Sequence, residues 1–125
     1  MPVSVRYLVD DVGAAVAFYT ELLGFEVRMQ PPGAGFAALE RGELRLLLNE
    51  PGAGGAGQAT PRGVPEPGGW NRFQLEVEDL DAVMLELRDR GISLEGEIVT
   101  GRGGRQILVA DPADNLVELF EPRQS

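Results

Sequence analysis

Residues 70–80 read WNRFQLEVEDL. Phe73, Leu75 and Val77 alternate with Arg72, Gln74 and Glu76. That period of two predicts a strand with one face in a core. The other face sets a cation, an amide and an anion in a row, which a purely structural strand does not need. Past Glu78-Asp79, residues Leu80, Val83 and Leu87, with Met84, recur at helical spacing. Asp79 stands where an N-cap carboxylate would accept from the free amides of the first turn. Gly91 stands where such a helix would close.

The same unit occurs earlier in the chain. VSVRYLVDDV at 3–12 is another alternating stretch ending in an acidic pair, and Val9 aligns with Val77 at an offset of 68 (77 − 9). Val12, Val16, Tyr19 and Leu23 follow at helical spacing, Asp11 takes the N-cap position and Gly24 the closing one. Three further strands are predicted after each helix, at 25–30, 35–40 and 43–49, then at 94–100, 105–110 and 115–121. Arg41-Gly42 and the 111–115 stretch form the connections before the last strand of each half. The prediction is α+β: two tandem βαβββ modules, 1–49 and 70–125, in one domain. Between them, 50–69 is rich in Gly and Pro. Such a loop is either a functional lid or unstructured.

Composition narrows the chemistry. The 125 residues suit a single soluble domain, and no apolar run approaches the ~18 residues a bilayer span requires. The MPVSVRYLV start has no secretory h-region, so the expected location is cytoplasmic. A net charge of −9 argues against nucleic acid and anionic membrane as partners. The sequence contains no Cys, His or Lys. A disulfide, a thiolate nucleophile, an imidazole base and a Schiff-base lysine are therefore all excluded. Any metal would rest on oxygen ligands alone.

The motif D-x-x-x-A-x-x-F-Y-x-x-x-L-G-F is carried by Asp11, Ala15, Phe18, Tyr19, Leu23, Gly24 and Phe25. A second stretch, Asp111-Pro112-Ala113-Asp114-Asn115-Leu116-Val117-Glu118-Leu119, resembles D-P-x-G-N-x-x-E-L with Asp114 in place of Gly. Together they resemble the vicinal oxygen chelate superfamily, which includes glyoxalase I, extradiol dioxygenases and bleomycin-resistance proteins. The resemblance implies that each module curls into half of a cup with its helix outside. It also implies metal ligands on the first and last strand of each module. Ser4, Leu46, Arg72 and Glu118 stand at those positions, and only Glu118 matches. The resemblance therefore points to the metal-free, drug-binding members, with no cofactor, no metal and no catalytic residue, and to a homodimer.

Strand parity then places Arg6, Gln74 and Glu76 with Arg72 on the cup face, and Leu46, Leu48, Glu118 and Phe120 on the last strands. Trp70 and Phe36 are the candidates for stacking on a flat ligand. This mixture of apolar surface and a few polar groups suits a small-molecule pocket. The expected ligand is a bulky aromatic natural product, such as an antibiotic that the protein sequesters. The alternatives are a metal-free isomerase, cyclase or lyase using Glu118 or Glu76 as base, or a metalloenzyme with atypical ligands. Asp10-Asp11 and Glu78-Asp79 are read as helix starts. The 101–105 stretch GRGGR is read as a hairpin turn, with Arg105 a candidate for anion contact.

Overall fold

The computed structural model describes residues 3–124. Ten elements follow in order: β1 (Val3–Leu8), α1 (Val12–Leu23), β2 (Glu26–Met29), β3 (Phe36–Arg41), β4 (Leu44–Asn49), β5 (Arg72–Glu76), α2 (Leu80–Asp89), β6 (Leu94–Thr100), β7 (Gly104–Ala110) and β8 (Leu116–Pro122). This is the α+β, tandem βαβββ arrangement that the repeat predicts. The strands form two four-stranded mixed sheets, ordered β1-β4-β3-β2 and β5-β8-β7-β6. In each, the first strand runs parallel to the last and the other neighbours are antiparallel. The chain divides into two compact units. One holds the residues up to Gly68 together with Asp111–Asn115; the other holds Gly69–Ala110 and the residues from Leu116 onward.

In the first unit, α1 buries Ala15, Val16, Phe18, Tyr19 and Leu23. They meet the sheet face made of Tyr7, Ala37, Leu39, Leu46 and Leu48, all buried. A fully buried leucine contributes roughly 1.5–3 kcal/mol, so this face dominates the unit's stability. Asp11 caps α1 by accepting from the Ala14 amide at 3.1 Å. Gly24 closes the helix at φ 74°, a left-handed conformation that an L side chain resists. The second unit repeats the plan with Leu80, Met84 and Leu87 buried on α2 against Leu75, Ile107, Val109, Val117 and Leu119. Asp79 caps α2 through the Ala82 amide, also at 3.1 Å.

A second clamp lies deeper in each unit. Glu50, just after β4, accepts from the Val12 amide at 2.9 Å. Glu121, on β8, accepts from the Leu80 amide at 3.0 Å. Each helix is thus fastened at its first free amide to the end of its own unit's last strand, where a carboxylate also complements the helix dipole.

The glycine-rich stretch after Asn49 is tied into a compact turn. Its backbone closes from Ala53 N–H to Glu50 O, from Gly57 N–H to Ala53 O and from Gly52 N–H to Gly57 O. The Gln58 amide donates to the carbonyls of Gly52 and Gly54, each at 3.0 Å. A β-carbon on Gly57 would lie 2.5–2.7 Å from the Ala53 and Glu50 backbone, so only glycine fits there.

Candidate functional site

Each sheet has one face against its helix and a second face that its own helix leaves open. In the first unit the register sets Arg6 beside Leu47 and Leu8 beside Asn49. It then sets Leu47 beside Ala38 and Asn49 beside Phe36. The open face therefore carries Arg6, Leu8, Leu47, Asn49, Ala38 and Phe36. Here the structure corrects the sequence reading. Leu46 and Leu48 pair with Val5 and Tyr7 on the helix side and are 0% exposed. Three consecutive leucines erase the period of two, which is why parity fails on this strand.

The Arg6 guanidinium donates through Nη1 to Asn49 Oδ1. Asn49 is buried, its Nδ2 donates to Ala53 O at 3.4 Å, and its own carbonyl accepts from Val9 N–H at 2.9 Å. Sequence reasoning misses Asn49. A signal is present: aligning Glu50 with Glu121 gives an offset of 71 (121 − 50), which sets Leu47 against Glu118 (118 − 47).

In the second unit, Arg72, Gln74 and Glu76 pair with Leu116, Glu118 and Phe120 on one face. Arg72 Nε donates to Glu118 Oε1 at 3.1 Å, and Gln74 Nε2 donates to Oε2 at 2.5 Å. Both oxygens of this buried carboxylate are engaged, so its charge is compensated, as burial demands. Charge-assisted bonds of this kind also hold the donors in fixed directions. Phe120 is half-buried beside them and Glu76 is exposed. Glu76 lines a surface cleft of about 650 Å³ with Glu78, Asp79 and Arg123. Trp70, two residues before β5, is 81% exposed. Arg105 does not face an open anion position: it is bonded to Glu121 and Asp81. Those bonds push its pKa up.

The two signature motifs meet within the first unit and act structurally. The Tyr19 hydroxyl donates to Asp111 Oδ2 at 2.8 Å. Burial, reinforced by the Asp111 charge, pushes the Tyr19 pKa well up, so the phenol keeps its proton. Asp111 Oδ1 accepts from the amides of Ala113 and Asn115 at 2.8 and 2.9 Å. Asn115 Nδ2 donates to Leu8 O at 2.7 Å, and its Oδ1 accepts from Gly68 N–H at 2.9 Å. Asp114, where the motif has glycine, adopts φ 65°. Aspartate tolerates this left-handed turn better than most residues.

The donor set does not fit a divalent metal. The positions that resemblance marks for ligands hold Ser4 and, by the observed register, Leu47 in the first unit. In the second they hold Arg72 and Glu118, already bonded to each other. Among the described residues, no three His, Cys, Asp or Glu side chains are grouped as a metal site.

The sequence matches the Glyoxalase/Bleomycin resistance protein/Dioxygenase superfamily over residues 2–119. Among solved structures, it is similar to lactoylglutathione lyase from Agrobacterium tumefaciens, at 26% identity and TM-score 0.75, covering 97% of this chain and 92% of that one. It is also similar to an antibiotic binding protein from a Streptomyces species, at 24% identity and TM-score 0.74, covering 98% and 96%. A third is the bleomycin-binding protein of Streptomyces verticillus, solved with copper(II)-bleomycin, at 24% identity and TM-score 0.64, covering 98% and 97%. The last two likenesses establish fold alone. With its two tandem units, both signature motifs and a match over nearly its whole length, this chain belongs to the Glyoxalase/Bleomycin resistance protein/Dioxygenase superfamily.

Proposed function

We propose that the chain is a metal-independent binding protein that sequesters a bulky aromatic natural product, such as an antibiotic, in the cytoplasm. The observation that carries this reading is the state of Glu118. The one carboxylate at a ligand position accepts from Arg72 and Gln74 with both its oxygens. A group so engaged orients donors toward a ligand in place of holding a cation. The open face of the second unit adds Phe120 and Leu108, both half-buried, as apolar surface. Trp70 offers an exposed indole for stacking, where a ring pair contributes about 0.5–1.5 kcal/mol beyond area burial. Similarity to antibiotic-binding proteins in two Streptomyces species agrees with this role. The working form is a homodimer.

The test is a fluorescence titration of metal-free protein with a panel of aromatic antibiotics, followed by recovery of the ligand. Saturable quenching of Trp70 with unaltered ligand supports sequestration. A second reading, a metal-free enzyme, is favoured by one feature. The Glu76 side chain is exposed, and its carboxylate has no hydrogen-bond or ion-pair partner among the described residues. If turnover occurs, Glu76 is the available base and Glu118 is not. Product formation lost in Glu76→Gln and kept in Glu118→Gln would identify that case.

A further inference from the structure

We infer that Arg6 is an anion-recognising residue, and that the open face of the first unit takes an aromatic ligand bearing a carboxylate or comparable acidic group. The inference rests on the reading of the chain as a binding protein for aromatic small molecules, and it concerns the first unit's own face, tested apart from the face around Glu118.

Arg28, Arg45, Arg72 and Arg105 each meet a carboxylate within 4 Å. Arg6 is held differently. Its hydrogen bond goes to the neutral Asn49 amide, and it forms no ion pair with a described residue. Asn49 is in turn locked by the turn that follows it, through Ala53 O, and by the end of β1, through Val9 N–H. The guanidinium is therefore positioned without being neutralised. A planar fork with donors to spare matches a carboxylate's two oxygens.

The surroundings supply the rest of the ligand's chemistry. Leu47 lies beside Arg6, Ala38 beside Leu47, and Phe36 beside Asn49. All three are half-buried. An apolar strip next to one uncompensated cation suits an amphiphilic anion: the flat body rests on Leu47, Ala38 and Phe36, and the acid reaches Arg6. The net charge of −9 does not attract such a ligand from a distance, so recognition must come from this local contact.

The experiment compares 2-naphthoate, the neutral 2-naphthamide and cationic 2-naphthylmethylamine by calorimetry and by backbone amide shifts. The expected result is that naphthoate binds most tightly and shifts the β1 and β4 amides. Arg6→Gln should then weaken naphthoate about tenfold or more, the loss of one charge-assisted contact, and leave the amide within about twofold. Asn49→Asp should have the same effect with Arg6 still present, because it gives the guanidinium a carboxylate partner. Thermal melts of both variants confirm that they fold. Equal affinity for naphthoate and naphthamide would overturn the inference, as would a matched loss for both probes in Arg6→Gln or no binding of any probe. Should aromatic antibiotics still quench Trp70 in those cases, the binding role survives and only the anion assignment fails. An Arg6-dependent preference without antibiotic binding would instead uphold the anion site and remove the antibiotic role.

Discussion

In the first unit Arg6 leans on the neutral amide of Asn49, whereas in the second Arg72 and Gln74 converge on the Glu118 carboxylate. The framework around them is the same. Asp11 and Asp79 cap the helices alike, and Glu50 and Glu121 clamp the first amides alike. The helix-facing sides are apolar in both. The difference between the copies that bears on binding lies on the open faces, where Leu47 and Asn49 stand at the places of Glu118 and Phe120. A duplicated fold can keep its core and caps while the leftover faces take on unlike charges. One face here is a free cation on an apolar strip; the other is a compensated polar cluster.

Three substitutions probe how separate framework and face are. The largest effect is expected for Asp111→Ala, which removes the acceptor of the Tyr19 hydroxyl and of two backbone amides at once. Stripping a buried carboxylate from satisfied donors should destabilise by about 3–5 kcal/mol, read by urea denaturation. Next, Leu46→Ala should lose about 3 kcal/mol, since Leu46 is fully buried on the helix side. Leu47→Ala should lose under about 1 kcal/mol in the same measurement, because Leu47 is half-buried on the open face. Equal losses would break the register on which the comparison stands.

The smallest effect concerns the second clamp. The Leu80 amide, and after it Arg105, hold Glu121 below the usual carboxylate range. A folded-state pKa below the unfolded one stabilises the protein above the unfolded value, about 4.3, and the contribution is lost as pH falls through the folded value. The melting temperature should thus fall more steeply below about pH 4 in the wild type than in Glu121→Gln. Parallel acid profiles would show that the clamp contributes nothing.

The fold is legible in the sequence because three independent signals agree: alternation in 72–77, helical spacing after each acidic pair, and the offset of 68 between the halves. The helix caps can be read for the same reason, since a short acid before an apolar period has one main use. The candidate site is only half legible. Arg72, Gln74, Glu76, Glu118 and Phe120 share a face as parity predicts, because their strands alternate cleanly. On β4 the leucine run hides which residues face inward, so parity puts Leu46 and Leu48 on the wrong side and passes over Leu47 and Asn49. Asn49 is also hard to find because its role depends on the turn at 50–58, where hydrogen bonds join residues with no sequence pattern.

The second unit's open face is proposed to bind an aromatic ligand without a metal. The most direct test is titration of chelator-treated protein with aromatic antibiotics, reading Trp70 emission and the chemical integrity of the recovered ligand. The expected result is saturable quenching at one ligand per chain, weakened in Glu118→Gln and Arg72→Gln, with the ligand returned unchanged. Binding that emerges only after a divalent metal is restored, or no saturable quenching with any of them, would contradict it.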